Sequence, residues 1–389
     1  MPGFASRMER IVGSATVGIS NLVAERRRAG ADIVAFSLGE PDFPTPEHVR
    51  EAAKAALDAG HTHYTPGPGI PELREAVAAY HRQRNHIPCE AGNVLVTPAK
   101  HAVLMSVLAV AGRGDEVLVP DPGWVSYAPM VQWAHAEPVP VPLRAGEGFR
   151  MTPEAVAERI TPRSRLVVLN SPSNPTGGVN TKEDVKGIVD LAVDHDLWIL
   201  SDEIYQRILY EGAHVSPASL GAFDRTITVD GLSKSFAMTG WRIGWAVAPP
   251  GAFGQLNKLQ GHSVTHGTSF AQHGAVAALE GPQDSVEQMR KAFRARRDRM
   301  VEGLRALPGV ECPMPEGAFY AFPRFPGGED AAPVDDVALA QRLIEEAGVA
   351  ATPGSAFGEQ GRGHLRFSYA ASMERIEEGL VRMDRLLGA

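Results

Sequence analysis

Ser233-Lys234-Ser235, followed in the same loop by Gly240-Trp241-Arg242-Ile243-Gly244, is the stretch of this chain best equipped for chemistry. A lysine amine attacks aldehydes and forms a Schiff base once burial or a nearby cation lowers its pKa. The hydroxyls and the arginine offer donors to an anion, and the glycines let backbone approach it closely. An exposed lysine in an ordinary surface loop accounts for this stretch about equally well. Other residues have to decide.

Several could. The run Leu169-Asn170-Ser171-Pro172-Ser173-Asn174-Pro175-Thr176-Gly177 is stiffened by prolines and projects the Asn174 amide, although a tight connection to the next helix explains the same residues. Ser201-Asp202-Glu203-Ile204-Tyr205 sets two acids and a tyrosine just past an apolar run. Asp202 could cap a helix. As a partly buried carboxylate that stays ionised, it needs a cation or an N–H, and a protonated pyridine nitrogen would serve. At Val96-Thr97-Pro98-Ala99-Lys100 a strand enters a helix, with Thr97 expected as the cap and Pro98 as the first helical residue. First-turn N–H groups bind anions, a property that every such junction shares. Trp124 could stack on a flat ring or simply fill core. Arg366, inside the alternating run Leu365-Arg366-Phe367-Ser368, belongs to a type rarely buried without a partner, and its planar fork matches a carboxylate. An internal ion pair is the structural alternative. His61/His63 and His262/His266 lack accompanying ligands, so no metal site is expected.

These residues lie at the ends of apolar runs. Runs at 94–96, 117–119, 138–141, 166–169, 198–200 and 226–229 alternate with helical stretches such as 99–110, 154–159 and 182–194. That alternation predicts an α/β fold with a mostly parallel, doubly wound sheet, whose ligands bind at the carboxyl ends of the strands. Ahead of it come a basic helix at 21–28, a strand at 33–38 and a helix entered through Thr45-Pro46-Glu47, with Thr45 as its cap. Beyond residue 281, a long charged helix (286–307), strands at 317–322 and 364–369, and helices at 337–347 and 374–387 read as a smaller α+β region.

A length of 389 residues suits two domains, and 44% apolar with 22% charged residues is ordinary for a globular protein. A net charge of −8 without a basic stripe argues against nucleic acid or anionic membrane as a main partner. Cys89 and Cys312 are the only cysteines, so no disulfide framework is expected and a reducing compartment fits. The N-terminus lacks the apolar core of a signal peptide, and the most apolar run, 102–111, is too short to span a bilayer. A cytoplasmic protein is the expectation.

In order and spacing, Leu38-Gly39-Glu40-Pro41-Asp42-Phe43, Tyr64-Thr65-Pro66, Trp124-Val125-Ser126-Tyr127, the Asn170–Gly177 turn, Ser201 to Tyr205, the Lys234 loop and Arg366-Phe367-Ser368-Tyr369 together resemble the class I aminotransferases of the fold-type-I pyridoxal-phosphate enzymes, closest to the prokaryotic aspartate aminotransferase branch. The resemblance covers nearly the whole chain. It implies transfer of an amino group between an L-amino acid and a 2-oxo acid by a ping-pong mechanism, with Lys234 holding pyridoxal 5′-phosphate as a Schiff base. It implies that Asp202 pairs with the pyridinium nitrogen, that Asn174 and Tyr205 bond the ring 3-oxygen, and that Trp124 lies on the ring face. Ser233, Arg242 and the N–H groups of Ala99 and Lys100 would hold the phosphate, with Tyr64 reaching it from the neighbouring subunit of a homodimer. Arg366, Asn174 and the Gly39 backbone would take the substrate α-carboxylate, next to Trp124. The family pattern divides the chain into an arm (1–15), a small domain (16–45 with 288–389) and a large cofactor domain (46–287).

The chain departs from many relatives in having Pro98 and Ala99 where they have glycines, and Pro98 lacks an N–H. Lys100 matches a lysine that helps aspartate-active members bind the distal carboxylate, and Ser14 and Thr16 match nearby contacts. No arginine occurs in 261–270, where other aspartate enzymes supply one from the partner subunit. Aspartate or glutamate is therefore the expected donor. The alternatives are an aminotransferase for alanine, aromatic or other amino acids, a β-eliminating C–S lyase, and a cofactor-binding regulator, which would carry a DNA-binding domain that this short arm cannot supply.

Overall fold

A computed structural model describes residues 3–9, 11, 13–327 and 333–388; the rest of the expected N-terminal arm and of the C-terminal region lies outside the described residues. The strands in chain order are β1 (Val34–Ala35), β2 (Val94–Thr97), β3 (Glu116–Asp121), β4 (Glu137–Pro142), β5 (Ser164–Asn170), β6 (Trp198–Asp202), β7 (Thr226–Gly231) and β8 (Gly244–Val247). They continue with β9 (Tyr320–Ala321), β10 (Val349–Ala350), β11 (Thr352–Pro353) and β12 (Leu365–Ser368).

Seven of these form one sheet in the order β2-β8-β7-β6-β5-β3-β4, with only β8 antiparallel to its neighbours. Alternate side chains of its strands enter different cores, so that Val117, Val119, Leu166 and Val168 pack with the helix Ala99–Val110, while Leu118, Val167 and Leu169 pack with the helix Lys182–Asp194. Burial on both faces explains why these strands read as near-continuous apolar runs. Pairing in register sets Asn170 beside Asp202, and Gly231 beside Gly244. The carboxyl ends of β2, β5, β6 and β7 therefore meet at one edge, and β8, running the other way, begins there just after Arg242.

The remaining strands form a β1-β10 pair and a β11-β12-β9 sheet. Here the structure corrects the sequence reading. The strand expected at 33–38 pairs only over Val34–Ala35, because beyond Phe36 the carbonyls turn to side chains: Ser37 accepts from Arg366 Nη2 and Gly39 from Lys234 Nζ. The strand expected at 317–322 is likewise short, since Gly317 bridges to Leu209 and Ala318 takes a left-handed conformation (φ 55°) before Tyr320 pairs with β12. Two expected caps also fail. Thr45 donates to the Ala237 carbonyl and accepts from Trp241 Nε1, tying this turn to the lysine loop, and Pro46 occupies the cap position. Thr97 stays in β2, extended as residues before proline prefer, and Pro98 takes the cap. Among the described residues no helix is long and apolar enough to cross a membrane.

A core of aromatic residues anchors this second region to the site. Phe36 is fully buried, packs on Phe367 at 6.1 Å, and sits so close to the helix Met373–Leu387 that a Cβ on Gly379 would lie 2.4 Å from its ring. Phe36→Ala should cost about 3–5 kcal/mol of stability through lost burial plus a cavity, read as a lower unfolding midpoint in denaturant.

Candidate active site

A cleft of about 450 Å³ opens at the edge where those strand ends meet. Ser233 and Lys234 follow β7, Asp202 ends β6, Asn174 follows β5, and Ala99 and Lys100 open the helix after β2. All of them line the cleft, as do Thr16, Gly39, Trp124, Tyr205, Arg242 and Arg366. Of the residues the resemblance assigned near the site, Tyr64 and Ser14 do not; Ser14 bonds Thr16, and Tyr64 is 88% exposed, with its ring edge-on to His266. Residues distant in the chain meet because parallel strands of one sheet all end at the same edge.

The cleft is electrostatically lopsided. Among the described residues, Lys100, Lys234, Arg242 and Arg366 line it against a single carboxylate, Asp202. Lys234 donates to the Gly39 carbonyl at 2.8 Å, and its pKa falls to about 8. Loss of hydration is the chief cause, with Arg242 and Arg366 adding repulsion, while Glu40 and Asp202 oppose the shift. Asp202 moves the other way, to about 6, again chiefly through burial, although the Tyr127 hydroxyl donates to its Oδ2 at 2.7 Å and lowers it somewhat. Of the two neighbouring acids only Asp202 faces the cleft; Glu203 points into the body of the fold and bonds Ser201 and His214.

Arg366 is 2% exposed. Its Nη1 donates to Asn174 Oδ1 at 3.0 Å and its Nη2 to the Ser37 carbonyl at 2.6 Å, while Nε has no partner among the described residues. The guanidinium carbon lies 4.6 Å from the centroid of the Tyr320 ring and 4.9 Å from that of Phe357. Ring faces stabilise a desolvated cation by about 2 kcal/mol, which offsets part of the burial penalty that pulls its pKa down. Among the described residues no acid bonds it, so the ion-pair alternative fails there. Asn174 is held in turn by Asn170, which accepts from the Asn174 N–H and donates to the Asp202 carbonyl.

At the helix start, Pro98 caps without a side-chain acceptor, and the Pro98 carbonyl takes the N–H groups of His101 and Ala102, leaving those of Ala99 and Lys100 outside the helical ladder. Arg242, in the left-handed region (φ 57°), stands nearby with one backbone partner, the Thr239 carbonyl. Strained backbone of this kind tends to collect at ligand clamps. Lys100 Nζ lies 5.0 Å from the Trp124 ring centroid.

Sequence reasoning assigned nothing to Tyr127, Tyr320 and Phe357. Tyr127 was within sight in the Trp124 motif; Tyr320 and Phe357 carry no signal beyond being aromatic, because their roles come from which residues fold against them.

The family model for "Aminotransferase class I and II" matches residues 31–383. The chain belongs to that family. The aspartate/prephenate aminotransferase of Thermus thermophilus is 44% identical, with both chains covered in full. A solved structure of the Thermus thermophilus aspartate aminotransferase with maleate superposes with a TM-score of 0.94 at 44% identity over the whole of both chains. An aromatic aminotransferase from Pyrococcus horikoshii superposes at 0.89, 41% identical, over 94% of this chain and 98% of that one.

This aminotransferase uses pyridoxal 5′-phosphate, and the residues present fit the group. The first-turn N–H groups of Ala99 and Lys100, with Ser233 and Arg242, would suit its phosphate; Lys234, with its lowered pKa, would suit its aldehyde; and Asp202, bonded among the described residues by Tyr127 and, at 3.4 Å, the Ile204 N–H, would suit its ring nitrogen. Lys234 should behave as an amine of pKa about 8. In cofactor-free protein, borohydride-trappable capture of pyridoxal phosphate should speed up about tenfold per pH unit below that point and level off above it. A rate still climbing at pH 10 would mean an ordinary, hydrated lysine.

Proposed function

We propose that this enzyme transfers the amino group of aspartate, or of glutamate, to a 2-oxo acid. The observation that carries the reading is a cleft offering two separate cations for carboxylates: Arg366 in its aromatic sandwich, and Lys100 beside Trp124 near Thr16. The related Thermus structure holds maleate, itself a dicarboxylate, which supports the same reading.

When bound, pyridoxal phosphate supplies an aldehyde for an amine and a protonated ring that accepts electron density from the substrate Cα. The protein does the rest. Arg366 and Asn174 take the α-carboxylate, orienting the Cα–H bond toward Lys234. Lys234 Nζ would be the base and acid that moves the Cα proton once pyridoxal phosphate is bound; a pKa of about 8 suits transfer in both directions. Asp202 stays ionised against the ring nitrogen and keeps it protonated, while Tyr205 and Asn174 donate to the ring 3-oxygen. Trp124 covers one ring face. Ala99, Lys100, Ser233 and Arg242 bind the phosphate.

The exposed Tyr64 supports a homodimer in which it completes the neighbouring site. The aromatic core around Phe36, Phe293 and Phe367 supports a small domain built from 16–45 and 288–389, apart from the large one at 46–287 and the arm at 1–15. Two unpaired, buried cysteines support a cytoplasmic setting. Val17, Leu38 and Val103 give the same cleft an apolar wall, which favours a second, bulkier class of acceptor such as those named for the prephenate and aromatic relatives.

Lys234→Ala should abolish transamination while leaving far-UV circular dichroism and thermal midpoint unchanged; surviving turnover would overturn the central assignment. Lys100→Ala should lower kcat/KM for aspartate by about tenfold to a hundredfold, the equivalent of one charge-assisted hydrogen bond, and leave alanine little affected. Equal losses for both donors would place Lys100 on the phosphate only.

A further inference from the structure

Tyr320 stands where three parts of the cleft meet. Its hydroxyl is 2.7 Å from that of Tyr205, and its ring underlies the Arg366 guanidinium. Room for that hydroxyl exists only because residue 39 is glycine: a Cβ there would stand 2.3 Å from the oxygen, on the same residue whose carbonyl holds Lys234. At 1% exposure Tyr320 has no solvent face of its own.

We propose that Tyr320 is a positioning residue with two separable duties: its hydroxyl donates to Tyr205 and so fixes the proton of Tyr205 on the cofactor ring oxygen, and its ring holds the Arg366 fork for the substrate carboxylate. This rests on the roles given above to Tyr205 and Arg366. Each tyrosine hydroxyl has a single proton to donate. An ionised ring oxygen is an acceptor only, so it takes the proton of Tyr205. The 2.7 Å contact then persists only with Tyr320 as its donor. Burial keeps both phenols protonated, since it raises the pKa of each. A donor whose own oxygen accepts a hydrogen bond is polarised into a better donor. Losing that support weakens the stabilisation of the ionised ring oxygen, so the bound cofactor gives up its proton at higher pH. Duty two follows from geometry. Phe357 lies 4.9 Å from the Arg366 guanidinium and Tyr320 4.6 Å, and a phenylalanine at 320 would retain that ring.

The test uses the full-length holoenzyme and the variants Tyr320→Phe and Tyr320→Leu. The readouts are the pH titration of cofactor absorbance and the steady-state KM and kcat for aspartate. Tyr320→Phe should raise the absorbance midpoint by about half a pH unit and leave KM within about twofold. Tyr320→Leu should show the same midpoint shift and raise KM by about tenfold. An unmoved midpoint in Tyr320→Phe overturns the donor duty, and equal KM in the two variants overturns the ring duty. Tyr205→Phe and Arg366→Lys serve as references. If Tyr205→Phe leaves the midpoint where it was, or Arg366→Lys leaves KM unchanged, the role given above to that residue has failed. If the references respond and the Tyr320 variants do not, only the Tyr320 inference has failed.

Discussion

Keeping a lysine amine poorly hydrated between two arginines, with one carboxylate lining the same cleft, is the constraint that the rest of this structure serves. Left to itself such a cluster repels and hydrates. Desolvation and repulsion from Arg242 and Arg366 bring Lys234 down to about 8, and Asp202, also desolvated, rises to about 6. The two groups are thus moved toward each other on the pH scale by one cause acting on opposite charges. A dianionic phosphate and a carboxylate substrate are the natural complement of the surplus positive charge.

The fold meets this constraint with neutral partners. Arg366 is buried among Asn174, the Ser37 carbonyl and two aromatic faces, and Lys234 rests on the Gly39 carbonyl. A buried acid in those places would neutralise the very cations that a substrate needs. The same demand shortens β1, since beyond Phe36 the Ser37 and Gly39 carbonyls serve side chains instead of a neighbouring strand. An element that looks incomplete as sheet is complete as part of the site.

Much of this was legible beforehand for a physical reason. Strands buried on both faces must be apolar throughout, so the central sheet shows as a series of apolar runs, and the polar residues interrupting them stand out as candidates. Lys234, Asp202, Asn174 and Arg366 were found that way. The caps at Thr45 and Thr97 were misread because a hydroxyl before a helix has the right chemistry wherever it points, and Thr45 points at Ala237 while Thr97 is held in a strand. Strand lengths at 33–38 and 317–322 were overestimated because apolar alternation records burial, and each stretch is largely buried but pairs as a strand over only two residues.

By itself the sequence determined which side chains carry nucleophilic, acidic and carboxylate-binding chemistry, and that they sit at the ends of strands in an α/β fold, since residue type and local period are properties of the chain alone. Only the tertiary structure decided that no acid among the described residues bonds Arg366, that Asp202 and not Glu203 faces the cleft, and that Tyr320 joins Tyr205 to Arg366. Those facts depend on contacts such as Asn174 with Arg366 and Tyr205 with Tyr320, 192 and 115 positions apart, where strand order and packing set the distance and no local pattern records it.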